Sequence, residues 1–149
     1  MKGVIIKTLE EYRDDRGFLL ELFRNDELGE FAIQPQMGYI SMTLPGIVRG
    51  PHEHNHQTDV FIFLDDFEIS LWDNRKDSPD FGEKIIKRTG GFRTLVIVPP
   101  NVIHGYKCMN GGPGLVLNFP DKLYKGEHKA EGIDEIRHEN TEDSAYQIS

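Results

Sequence analysis

Eleven residues, Arg49 to Asp59 (RGPHEHNHQTD), hold one arginine, three of the six histidines and two acids. A neutral imidazole can take a proton near neutral pH, and it ligates divalent metals through its unprotonated nitrogen. Read as an extended strand, the segment puts His52, His54 and His56 on one face, because side chains alternate along a strand. Arg49 adds a planar fork of donors suited to a diphosphate, and Asp59 adds a carboxylate. A further histidine, His104, follows the Pro99-Pro100 turn and could join them.

Two kinds of chemistry use these residues differently. The spacing His52-x-His54, four residues, Asp59, with the distant His104, resembles the two-part metal motif of the cupins, with Asp in place of the usual Glu. Neutral imidazoles and a carboxylate are fit ligands for a divalent transition metal. In the other reading the site is metal-free: His52 is a general base and Arg49 a fixed cation for an anionic ligand. On these residues alone both readings stand.

The elements that must position them are short strands. GVIIKTL is rich in β-branched residues, Asp14-Asp15-Arg16-Gly17 is a turn, and FLLELF resumes an extended pattern. Asn25 to Phe31 has room for one helical turn. YISMTL ends at Pro45-Gly46, and VFIFL beyond the histidines is a continuous apolar run suited to a strand buried on both faces. EISLW, KIIKRT, TLVIV, IHGYKC and GLVLNF follow, with DNRKDSPDFGE as a surface loop, Gly90-Gly91 as a hairpin turn and Asn110 to Gly114 as another turn. Nine to eleven short strands at this spacing predict an all-β sandwich or barrel, for which a double-sheet jelly roll is one closed solution. Trp72, Phe61, Phe63 and Phe67 belong to its core, Cys108 is a buried thiol, and Tyr106 faces either the core or the site. His128 and His138 fall at the surface.

At 149 residues the chain fits a single domain, 1–149, with the polar, acidic stretch 122–149 as a peripheral arm. The net charge of −8 argues against nucleic acid as a partner, though not against one phosphorylated ligand held by a local arginine. No apolar run is long enough to span a membrane, and the N-terminus lacks the h-region of an export signal. With a single cysteine there is no internal disulfide, which fits a cytoplasmic protein.

Several pieces, in order from about Asp15 to Tyr124, resemble the dTDP-4-dehydrorhamnose 3,5-epimerases and the related dTDP-sugar ketoisomerases. The pieces are DRGFLLELF, GIVRGPH, DNRKDSPDFGE and VPPNVIHGY. The resemblance implies a cupin-type double-stranded β-helix, a homodimer, and an isomerase of deoxysugar biosynthesis. Its substrate would be a dTDP-linked 4-keto-6-deoxy sugar, and no cofactor would be needed. It assigns Arg49 to the diphosphate, Arg16 and Glu21 to the nucleotide, and His52 and His104 to catalysis. RGPHEH is also like the ketoisomerases, adding His54 and Tyr39 to the catalytic set. At three positions the chain departs from the epimerases. Asp59 stands for a lysine, Leu117 for the tyrosine acid, and a C-terminal aspartate that partners the catalytic histidine is expected beyond the last residue. These departures point away from an orthodox 3,5-epimerisation.

The common mechanism needs a base on the carbon beside the ketone and a donor on its oxygen. His52 is the expected base, His104 the donor, and Tyr39 or His54 the group that returns the proton. The alternatives are a metal-dependent dioxygenase or small-molecule isomerase using His52, His54, Asp59 and His104, and a non-catalytic sugar-nucleotide binding module.

Overall fold

The computed structural model describes residues 1–141 and 143–149. The strands are β1 (Ile5–Thr8), β2 (Glu11–Asp14), β3 (Gly17–Leu20), β4 (Tyr39–Thr43), β5 (Val48–Glu53) and β6 (Asp59–Phe63). They continue as β7 (Phe67–Asp73), β8 (Lys84–Arg88), β9 (Thr94–Val98), β10 (Val102–Cys108), β11 (Gly114–Asn118) and β12 (Ile136–Arg137). One helical turn, α1 (Asn25–Leu28), passes into a 3-10 turn at Gly29–Phe31, in the place the sequence allows for it.

Two five-stranded antiparallel sheets face each other, ordered β1-β9-β6-β11-β4 and β12-β5-β10-β7-β8, while β2 and β3 form a separate hairpin. From β4 to β7 successive strands alternate between the two large sheets, as do β9, β10 and β11. This is the jelly-roll solution. It brings the start of β4, the ends of β5 and β11, and the starts of β6 and β10 to one end of the sandwich.

The apolar runs explain the layers. In VFIFL, Phe61 and Phe63 point between the sheets with Val96, Val98, Tyr106 and Val116. The alternate residues Val60 and Ile62 face the other way, under Leu28, Ile33, Phe23 and Phe119. Both faces of β6 and β9 are therefore covered, which is why neither strand shows a polar alternation. Cys108 is buried, and Tyr106 joins the aromatic core while its hydroxyl lies 3.4 Å from Ser41 Oγ.

Three expectations are corrected. Gly90-Gly91 does not close a hairpin, because β8 pairs with β7 and β9 pairs with β1 and β6, in the opposite sheet. The β2 strand, Glu11–Asp14, goes unforeseen because EYRD carries too little apolar signal; it is held by pairing with β3. His138 is not a free surface histidine. The arm carrying it adds β12 to the edge of β5, and His138 Nε2 lies 2.9 Å from Oε1 of the buried Glu53.

Candidate active site

The site is assembled around the β5–β10 pair. The two strands run antiparallel with His52 opposite His104, and their register shifts between His104 and Tyr106. Such a bulge re-aims side chains. The approach is close enough to require glycine at two points. A Cβ on Gly50 would fall 2.7 Å from the His104 carbonyl oxygen, and one on Gly105 would fall 2.7 Å from that of Arg49. Gly50 also has φ +79°, a conformation other residues seldom adopt.

Three imidazoles and one carboxylate converge there. His52 and His104 have ring centroids 4.5 Å apart, and His54 lies 5.4 Å and 5.8 Å from them. Asp59, at the start of β6 in the other sheet, turns Oδ2 to within 3.1 Å of His54 Nε2 and 3.2 Å of His104 Nε2. One donor atom from each of the four residues lies within 4.8 Å of the other three. Exposure is graded across the cluster. The Asp59 and His104 side chains are 1% and 4% exposed, His54 11% and His52 20%, so His52 is the member that faces solvent.

Each buried member is oriented by a neighbour. His104 Nδ1 bonds the carbonyl of Val102, and His54 Nδ1 that of Asp134. Oδ1 of Asp59 accepts from Gln57 Nε2 at 2.9 Å and from Asn118 Nδ2 at 2.8 Å. Asn118 is itself fixed, because its Oδ1 accepts the Val60 amide at 3.1 Å and its Nδ2 also donates to the Tyr39 hydroxyl at 2.9 Å. Tyr39 is thus tied to Asp59 through one amide.

These contacts set the protonation states. Burial first, then the neighbouring imidazoles of His104 and His54, push His52 down to about 2, so it is neutral at physiological pH. Burial would lower His54 too, but Asp59 and the Asp134 carbonyl outweigh it and raise it to about 9. Burial alone would raise Asp59, yet the two facing imidazoles carry it below the usual carboxylate range. Tyr39 is half exposed overall, but desolvation at its hydroxyl end pushes it up to about 12, and it keeps its proton.

Of the other residues expected in the site, Arg49 lies three positions before His52 on β5. It is exposed, with Nε on Thr43 Oγ1 at 2.9 Å and Nη2 on the Met42 carbonyl at 2.9 Å. Arg16 is in the β2–β3 turn, paired with Asp14. Glu21 lines a cleft with Lys7, Tyr12 and Arg24. Neither is brought into the histidine cluster within one chain. His56 also leaves the cluster, because β5 ends at Glu53 and the chain bends at Asn55 and His56, leaving His56 exposed.

Four residues went unread in the sequence. Asn118, not Leu117, is the inward residue at the end of β11, while Leu117 packs on the outer apolar layer. Gln57 braces Asp59. From the arm, Asp134 accepts the amides of Asn55 and His56 at 2.9 Å each, and Glu135 Oε1 stands 4.0 Å from His52 Nδ1. A carboxylate from the C-terminal arm therefore does approach His52, although such a partner was expected only beyond the end of the chain.

An antiparallel jelly roll with its polar cluster at one mouth is the cupin architecture, and solved structures agree. The chain superposes on a dTDP-4-dehydrorhamnose 3,5-epimerase from Sulfolobus tokodaii with TM-score 0.73 and 22% identity, covering 92% of this chain and 77% of that one. A dTDP sugar isomerase from Desulfovibrio desulfuricans G20 gives TM-score 0.76 and 24% identity over 91% and 83%. The sequence profile of dTDP-4-dehydrorhamnose 3,5-epimerase matches residues 1–134. The chain belongs to that family. Among curated relatives, the probable low-salt glycan biosynthesis epimerase Agl13 of Haloferax volcanii is 38% identical over 81% of this chain and 79% of its own. The spore coat polysaccharide biosynthesis protein SpsL of Bacillus subtilis is 33% identical over 82% and 81%.

Proposed function

We propose that the protein is a nucleotide-sugar isomerase that moves a proton beside the ketone of a dTDP-linked 4-keto-6-deoxy sugar, with epimerisation as the favoured outcome. The observation that carries this is the placement of His52 and Tyr39 on opposite sheets at one mouth of the barrel, next to a buried polar wall. A sugar ring held between them meets a neutral imidazole on one face and a protonated phenol on the other. That arrangement suits removal of a proton from one side and its return from the other. A proton passed between His52 and His54, both on one wall, would instead move the carbonyl to the neighbouring carbon.

A C–H next to a ketone becomes acidic only when negative charge on the oxygen is stabilised. His52 takes the proton, and Glu135 faces the imidazolium that forms. His104 is the donor assigned to the enolate oxygen, with protonated His54 beside it. Tyr39 or His54 then supplies the proton to carbon. A proton leaves and returns without net oxidation, so no redox cofactor is consumed.

Arg49, exposed on β5 three residues before His52, anchors the diphosphate. Arg16 and Glu21 serve the nucleotide from the neighbouring subunit of a homodimer, a role supported by the exposed Tyr12, Phe18 and Leu19 of the hairpin that carries Arg16. The setting is cytoplasmic, in keeping with one free buried thiol; no helix among the described residues is long and apolar enough to cross a membrane. The test is product analysis by NMR with dTDP-4-keto-6-deoxyglucose. Inversion at C3 or C5, or migration of the ketone to C3, supports the reading. Unchanged substrate with tight nucleotide binding would instead identify a binding module.

A further inference from the structure

The C-terminal arm meets the site through β12, which is two residues long. Its pairing sets Ile136 opposite Glu53 and Arg137 opposite His52. Partners in an antiparallel pair share a face, so Arg137 and, two positions earlier, Glu135 lie on the side of the sheet that His52 occupies. Arg137 Nε holds Glu135 Oε1 at 3.1 Å, and the same oxygen stands 4.0 Å from His52 Nδ1. Moving the pairing by one residue would turn both side chains to the outer face. Apolar burial does not choose between the two registers, because Ile136 is 42% exposed. The choice falls to polar contacts.

Such contacts stand on both sides of Glu135, and a side chain is aimed only when the backbone before and after it is fixed. Before it, the Asp134 carboxylate accepts the amides of Asn55 and His56. After it, His138 reaches the outer face of β5, where Nε2 lies 2.9 Å from Glu53 Oε1, and its amide donates to the Pro51 carbonyl at 2.9 Å. The Glu53 side chain is 4% exposed, and Asn74 Nδ2 donates to both of its oxygens, at 2.9 and 3.2 Å. Asn74 is fixed in turn by its own amide on the Asn101 carbonyl. The Tyr146 ring packs edge-on against His138 and Trp72, at 4.9 and 5.8 Å, so the end of the arm folds back over the contact. A buried polar pair adds little net stability over apolar residues of the same volume, and its better attested use is to fix register.

We infer that His138, seated on the buried carboxylate of Glu53, is a positioning residue for His52: it fixes the register of β12 and so aims Glu135 at the imidazole. The consequence for turnover rests on the keto-sugar reading. The aiming itself does not, and it can be read without substrate.

Long-range ¹H–¹⁵N NMR of the full chain, labelled at histidine and free of sugar nucleotide, follows the His52 ring, whose signals are assigned by their loss in His52→Asn. Glu135→Gln should shift the His52 Nδ1 resonance, and His138→Ala should shift it in the same direction. His138→Gln keeps a side-chain N–H for Glu53 and should leave it near the wild-type position. Amide exchange at position 138 should rise about tenfold or more in His138→Ala, while amides in β6 and β9 keep their protection and show that the barrel is folded. An unmoved His52 resonance in Glu135→Gln or His138→Ala would overturn the inference. So would a double variant in which the two shifts add in full, since full additivity marks independent effects. In deuterium exchange with dTDP-4-keto-6-deoxyglucose, His138→Ala should lower kcat by about ten- to a hundredfold and change KM by less than about threefold, with His138→Gln restoring most of the loss. Wild-type kcat in His138→Ala would overturn the positioning role. Absence of exchange in the wild-type chain would strike the keto-sugar reading alone and leave the spectra to judge His138.

Discussion

Asn118 is the residue through which the site can be tested without touching an imidazole. Leucine at this position removes three hydrogen bonds from a side chain that is 1% exposed. The Val60 amide loses its acceptor at 3.1 Å, and an unsatisfied buried N–H costs about 1–3 kcal/mol. Asp59 Oδ1 loses one of two donors, at 2.8 Å, and a hydrogen bond to a charged group contributes about 1.5–3 kcal/mol. The Tyr39 hydroxyl loses a donor at 2.9 Å, but Tyr39 is half exposed and water can replace it. The added apolar burial returns at most about 2 kcal/mol. Asn118→Leu should therefore destabilise the chain by about 1–4 kcal/mol in equilibrium urea unfolding at neutral pH, with unchanged m. At roughly 2–4 °C per kcal/mol for a domain of this size, its Tm should fall by about 10 °C. Tyr39→Phe, which removes only the outermost bond, should stay within about 1 kcal/mol of wild type. A loss below 1 kcal/mol in Asn118→Leu, or equal losses in the two variants, would refute the chain of bonds from Val60 through Asn118 to Asp59.

Other expectations follow from single contacts. Arg49→Ala should weaken dTDP binding by about 10- to 100-fold in calorimetry, the equivalent of one charged hydrogen-bonding group, with a much smaller effect on kcat. Asp134→Ala removes the acceptor of the Asn55 and His56 amides, and hydrogen exchange at those two amides should accelerate about tenfold or more, while amides in β6 and β9 keep wild-type protection. Asp73, held by Arg75 and Ser78 against the opposing effect of burial, has its pKa lowered to about 2. Because this folded value lies below the unfolded one, its contribution is complete above about pH 4 and is lost as pH falls through 2. It is worth on the order of 2 kcal/mol, and Asp73→Asn should remove that part of the acid slope of stability.

Much of the architecture could be read from local pattern. VFIFL and TLVIV carry the signature of strands covered on both faces, and Pro45-Gly46 and Pro99-Pro100 mark where chains leave the sheets. The pairing of β8 could not be read this way, because Gly90-Gly91 fits a hairpin as well as a crossover, and only the packing of β9 against β1 and β6 decides. Arg49, His52, His54, Asp59 and His104 stood out because their types and spacing are unusual for a strand. The bend that expels His56 did not, since a period-two pattern assumes the strand continues. Asn118 left a usable trace, a polar residue in phase with Val116 at the end of an apolar strand. Asp134 and Glu135 left none. They lie in a polar stretch without periodicity, and they reach His54 and His52 from about 80 positions away.

The central claim is that His52 removes a proton from the carbon beside the ketone. Its most direct test is solvent deuterium incorporation into dTDP-4-keto-6-deoxyglucose, followed by NMR for wild type and His52→Asn, with dTDP affinity measured alongside. The account predicts label at C3 or C5 with wild type, exchange reduced by about 10²–10⁴-fold in His52→Asn, and unchanged dTDP affinity. Wild-type exchange in the His52 variant, or no label with either protein, would contradict it.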